Sequence, residues 1–139
     1  MRSLEAKLKH LDLVQAVISR LAQNAFLYKG WAITLAAGLV AFGPTDDWGP
    51  LLAAALLATA AFWALDAYYL WLERCFRRLY DEVRRRPESD VDFSLDISSY
   101  KSSPARTWLR TCRCWHLICF YVSVGVIESL IIVWRQGDC

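Results

Sequence analysis

Residues Leu51 to Leu72 read "LLAAALLATAAFWALDAYYLWL", a stretch whose single Asp, Glu, Lys or Arg is Asp66. A helix rises 1.5 Å per residue and the hydrocarbon core of a bilayer is ~30 Å thick, so about 20 mostly apolar residues make a spanning helix. This stretch has that length, and reading it as a span decides how its surroundings are read.

Two further runs share its character. Phe26 to Phe42, "FLYKGWAITLAAGLVAF", is interrupted only by Lys29 near its start, and Trp115 to Trp134, "WHLICFYVSVGVIESLIIVW", carries His116 at its lip and Glu128 inside. Trp31, Trp48, Trp71, Trp115 and Trp134 stand at or near span ends, where amphipathic rings settle at the headgroup level. A hydrophobic fraction of 56% with seven Trp in 139 residues fits a membrane protein better than a soluble helical bundle. The expected fold class is an all-α membrane protein with three transmembrane helices. No cleavable signal peptide is expected, because the N-terminus is charged and amphipathic where a contiguous apolar segment would stand.

Orientation follows from the basic residues. Residues 1–29 carry five Lys or Arg, the turn 43–50 none, residues 73–114 ten, and the tail one, Arg135. The positive-inside rule then places the N-terminus and the 73–114 segment in the cytoplasm and the C-terminus outside. The net charge of +2 averages these faces and by itself says little about partners.

Ahead of the first span, Leu4, Leu8, Leu11, Val14, Ile18, Leu21 and Ala25 recur at three- and four-residue spacing. An amphipathic helix over 1–25 is expected, its stripe lying in the lipid interface, against the cytoplasmic segment, or against copies of itself. Leu4, Leu8, Leu11, Ile18 and Leu21 are the candidate oligomer contacts on it. The turn "GPTDDWGP" has the punctuation of a tight helix connection, making spans 26–43 and 50–72 a hairpin.

Beyond Leu72 the helical pattern continues through "ERCFRRLYDEVRRR" to Pro87, so the second helix is expected to extend into the cytoplasm. Val91, Phe93, Leu95 and Ile97 then alternate with Asp90, Asp92, Ser94, Asp96 and Ser98, a period-two pattern that predicts one short strand. Such a strand would pair with a copy, bind a partner's edge, or lie extended with its apolar side chains against the basic helices, making Phe93 and Leu95 further candidate contacts. "SPARTWLRTCRCWH" offers Ser103 as N-cap and Pro104 at the first helical position, so the third helix is expected to begin before its span, 113–135, and to end in a tail, 136–139.

Three constellations could carry chemistry. Lys29 and Asp66 lie at comparable depth in the hairpin, so a charge pair is the first expectation, with a water-lined site or a subunit contact as alternatives. Glu128 has no cation at its depth in the spans, and would be protonated, hydrogen-bonded across helices, or exposed to a lumen. Arg74, Arg77, Arg78, Arg84, Arg85, Arg106, Arg110 and Arg113 form a cytoplasmic collar for anionic lipid headgroups or for a phosphate ligand such as a nucleotide, with Tyr80 or Trp108 available for base stacking. "CRCWHLIC" clusters Cys112, Cys114, His116 and Cys119, but residues two apart on a helix point about 200° apart, so no metal site is expected there. No nucleophile elbow, P-loop, dinucleotide fingerprint or zinc-protease motif is present, so neither an enzyme nor a cofactor is expected.

At "SRLAQNAFLYKGWAITL" and "FWALDAYYLWLERCFRRLYDEVR" the chain resembles a group of small bacterial inner-membrane proteins, on Asn24, Lys29, Gly30, Trp31, Leu65, Asp66, Ala67, Arg78, Leu79, Tyr80 and Asp81. The resemblance implies a possible role as a membrane effector of nucleotide-signalling anti-phage defence. The leading functional expectation is a homo-oligomeric gated pore with Asp66 or Glu128 near its path. The alternative is a non-conducting anchor that recruits a soluble cytoplasmic partner.

Overall fold

The computed structural model describes residues 2–42, 48–101 and 104–137, and only the backbone of residues 2, 48, 90, 104–106 and 135–137. Four helices, α1 (Arg2–Phe42), α2 (Trp48–Arg85), α3 (Pro104–Cys112) and α4 (Trp115–Gly137), are joined in part by 3₁₀ turns at Glu88–Asp90 and Ser98–Tyr100. Three of them, over Ser3–Phe42, Gly49–Arg85 and Trp115–Trp134, are long and apolar enough to cross a membrane. The expected Gly-Pro turn before Trp48 and the Ser103 cap lie outside the described residues.

The separate N-terminal helix expected over 1–25 does not exist as a unit, because α1 runs unbroken for 41 residues, ~62 Å at 1.5 Å per residue. Asn24-Ala25-Phe26 marks a change of composition without Pro or Gly, and such a change alters the solvent a helix faces without interrupting its hydrogen-bond ladder. The apolar stripe finds its partner within the chain: Val14 and Ile18 pack with Trp71, Cys75, Leu79 and Val83 of α2 and with Ile97. Ile18 and Leu21, expected as oligomer contacts, are therefore buried in the protomer, and Leu11 is half-buried against the same cluster. Leu4 and Leu8 are exposed, as are Phe93 and Leu95.

The strand expected over 90–98 is also absent among the described residues. Its polar positions bond locally instead of facing solvent from a ladder: Asp92 accepts from the Ser94 N–H at 3.0 Å, Ser94 Oγ from the Asp96 N–H at 3.2 Å, and Asp96 from the Ser98 N–H at 2.8 Å. These successive i to i+2 bonds are Asx- and Ser-type turns, which compete directly with strand pairing, and an alternating sequence encodes either outcome. Hydrogen bonding then holds Asp92 and Asp96 below the ordinary carboxylate range: the leading cause at each is the backbone N–H it accepts, from Ser94 and Ser98 respectively.

The segment wraps the start of α1. Lys7 Nζ donates to the Arg86 carbonyl at 2.8 Å, Ser3 Oγ to Glu88 at 3.1 Å, and the buried His10 has Nε2 2.9 Å from the Ser94 carbonyl, which it can reach only as a donor. Phe93 adopts φ 52°, left-handed backbone that is strained for a bulky residue, and its ring stands 5.6 Å from that of His10.

The third helical run starts at Pro104 but breaks before its span. α3 ends at Cys112, Cys114 N–H donates to the Thr111 carbonyl at 2.9 Å, and the Cys114 carbonyl accepts from Ile118 at 3.1 Å to begin α4. α2 grips this joint, with Trp63 Nε1 donating to the Cys112 carbonyl at 3.2 Å and Arg74 donating to Thr111 Oγ1 at 3.5 Å and to Cys114 Sγ at 2.9 Å. Side chains of another helix take up the groups a broken helix end leaves open, so the break needs no Gly or Pro of its own.

In the apolar half, α1 and α2 pack closely through the buried Ala32, Ala36, Ala55 and Ala67, small residues that let helix backbones approach. α4 leans on α2 and touches α1 less. Phe26, Trp31, Leu57 and Leu130 point outward, as a lipid-facing surface would.

Candidate functional site

Two polar rungs cross the interior. In the first, Lys29 Nζ on α1 lies 2.5 Å from Asp66 Oδ2 on α2, and Tyr121 of α4 donates its hydroxyl to the same oxygen at 3.2 Å. Asp66 is 1% exposed and Lys29 32%. One carboxylate thus joins all three long helices, and a lysine near the wet end can satisfy it while keeping part of its ammonium in water. Tyr28 donates to Tyr69 at 3.2 Å beside the pair, a second α1–α2 bond at the same level. Asp66 Oδ1 has no hydrogen-bond partner, so the rung is held through a single oxygen.

In the second rung, Thr59 Oγ1 on α2 donates to Glu128 Oε1 on α4 at 2.9 Å, and Glu128 is 3% exposed. Its other oxygen, Oε2, is buried without a partner. Glu128 also lines a groove of about 670 Å³ between α1 and α4, whose walls include Ile33, Ala37, Val40, Val124 and Ile127. Both rungs hold α4 against α2, and the groove lies on its other side, toward α1.

The two rungs share one register. Seven residues separate Thr59 from Asp66 on α2, and seven separate Tyr121 from Glu128 on antiparallel α4, two helical turns in each case. Sequence reasoning missed Thr59 and the Tyr121 hydroxyl as partners. The signal was present: the second and third spans each carry polar residues seven apart, and pairing one rung fixes the other.

The arginine collar divides. Arg77 pairs with Glu73 at 2.7 Å and Arg84 with Asp81 at 3.7 Å, and Arg74 is committed to the α3–α4 joint. Arg78 and Arg85 line a shallow groove of about 510 Å³ with Asp81, Glu82, Arg86 and Tyr100. Within it Glu82 accepts from the Tyr100 hydroxyl and from Arg86, which also reaches Asp92 at 3.1 Å. Arg110 and Arg113 are exposed, and the Arg106 side chain lies outside the described residues. Carboxylates thus interleave with the arginines of the second half of α2, whereas residues 104–114 carry Arg106, Arg110 and Arg113 with no Asp or Glu among them. Among the described residues no three His, Cys, Asp or Glu side chains gather as a metal set.

Fold and site together define a multi-pass helical membrane protein whose interior charges are tied into cross-helix rungs. The chain matches no family model, no curated protein and no solved structure.

Proposed function

We propose that the chain assembles with copies of itself into a gated membrane pore or ion channel, with Glu128 near the conduction path. The observation that carries this reading is the contrast in charge pairing: each carboxylate leaves one oxygen without a hydrogen bond among the described residues, but Asp66 is matched by a cation inside the protomer, whereas Glu128 has none and stands beside an open groove. A carboxyl in that position is expensive in lipid and calls for a neighbour, water or an ion. Asp66, closed off by Lys29 and Tyr121, drops out of the path.

On this reading the arginine-bearing end faces the cytoplasm of a bacterial inner membrane, with the C-terminus outside, and a nucleotide signal would meet Arg78, Arg85 and Tyr100 there. The resemblance drawn from the sequence would make the pore an effector of anti-phage defence. The test is reconstitution: a detergent-solubilised mass several times the 15.9 kDa of one chain, and ion flux in liposomes that Glu128→Gln changes. A monomer, or vesicles that never leak under any phosphate ligand, sinks the proposal.

A second reading has its own support. The closed Lys29–Asp66–Tyr121 rung and the exposed Leu4, Leu8, Phe93 and Leu95 beside the wrapped segment also suit a non-conducting anchor that recruits a soluble partner. Under it, Leu4→Glu with Leu8→Glu abolishes partner capture and leaves the membrane insertion untouched.

A further inference from the structure

The groove between α1 and α4 combines three properties. Its walls are almost wholly apolar, its size of about 670 Å³ lies within the range of small-molecule sites, and the exposed Ile33, Ile127 and Trp134 open it sideways toward the surface that lipid would cover. Two polar side chains break the apolar lining: Ser123, whose hydroxyl donates to the Cys119 carbonyl at 2.6 Å, and Glu128, 3% exposed, whose Oε2 has no hydrogen-bond partner among the described residues while Oε1 is already engaged by Thr59. Among the described side chains no Lys or Arg lines the groove. The site therefore has room for a hydrocarbon body and leaves Glu128 Oε2 without a hydrogen-bond partner.

We propose that this groove is a binding site for an amphiphile with a protonated primary amine head and an alkyl tail, entering laterally, its ammonium donating to Glu128 Oε2 and its tail lying along Ala37 and Val40 of α1 and Val124 and Ile127 of α4. The ammonium supplies the counter-charge that Lys29 supplies to Asp66 in the other rung, and the tail covers wall that neither helix covers. An alkyl carboxylate would set like charge against Glu128, and an alkane would leave Oε2 as it stands. The inference rests on the groove and Glu128 alone, and binding is read without any conduction, so its failure and the failure of the pore proposal are separable.

The test uses the full chain in mild detergent, titrated with a brominated dodecylamine that quenches tryptophan fluorescence at short range, since Trp134 lines the groove. Dodecanoate and dodecane with the same bromine label are the controls. Saturable quenching by the amine is expected, roughly ten-fold or more weaker for dodecanoate and for Glu128→Gln, the scale of one charge-assisted hydrogen bond. Ala37→Phe, which fills the groove without touching Glu128, should abolish saturation, and a retained Thr59→Ala response would keep the assignment on Oε2 and its groove. Equal quenching of wild type and Glu128→Gln, or equal quenching by amine and carboxylate, overturns the proposal. So does a groove filled by a second copy, recognised when Ala37→Phe lowers the assembly mass and the amine never saturates.

Discussion

Asp66 and Glu128 are the same chemistry in two settings, and what separates them is the third helix. At Asp66, α1, α2 and α4 all contribute, giving a cation at 2.5 Å and a hydroxyl at 3.2 Å. At Glu128 no α1 side chain joins the contact, and among the described residues its hydrogen bond comes from Thr59 at 2.9 Å. A buried carboxylate that has its counter-charge is a fastener, and one that lacks it is an opening. Burial alone would have ranked the two as equals, at 1% and 3% exposed.

The most severe way to break that contrast is to take the counter-charge from the closed rung. Asp66→Ala leaves Lys29 facing an apolar interior and should lower stability by about 3 kcal/mol, the low end for a broken buried pair because Lys29 can reach water. Denaturation in mixed micelles measures it, and Lys29→Met added to Asp66→Asn should recover most of the loss. Next comes Thr59→Ala, which strips Glu128 of its single donor and should cost about 1–3 kcal/mol by the same measurement, the range for a buried polar group left unsatisfied. If the two substitutions cost the same, the rungs are equivalent and the contrast is wrong.

Tyr121→Phe should be milder, about 1 kcal/mol, because Lys29 still holds Asp66. The smallest effect belongs outside the spans. Asp92 and Asp96 titrate below their ordinary range when folded, so their turns are fully supported at neutral pH and lose that support as pH falls from about 4 through the lowered folded values. Amide exchange at Ser94 and Ser98 should accelerate there, while the amides around Thr59 and Glu128 keep their protection. Loss of protection at both places together would tie the wrap to the rungs more tightly than the geometry requires.

Span length and apolarity made the three long helices legible, and matching depth made the Lys29–Asp66 encounter legible, because both depend on counting residues along rods of known rise. Three features escaped for physical reasons. The continuity of α1 past Asn24 left no trace because helices stop at breakers and not at changes of solvent. The 90–98 segment alternates as a strand does, yet the same alternation sets Asp92, Ser94 and Asp96 two residues before the N–H groups they cap. The α3–α4 break at Arg113 and Cys114 contains no breaker, since what stabilises it, Trp63 and Arg74, sits forty or more positions away in the chain. The pairing of Thr59 with Glu128 was within reach, and became visible only once Tyr121 had been set opposite Asp66.

The unbroken α1 has a mechanical meaning. Lys7 and His10 clasp the wrapped segment near one end, and Lys29 grips Asp66 further along the same rod. No Pro and no change of helix type stands between them, so both contacts are carried by one continuous hydrogen-bond ladder. The clasp at the polar end and the lock inside the bundle, nineteen residues or ~28 Å apart, thus share one rod with no joint between them.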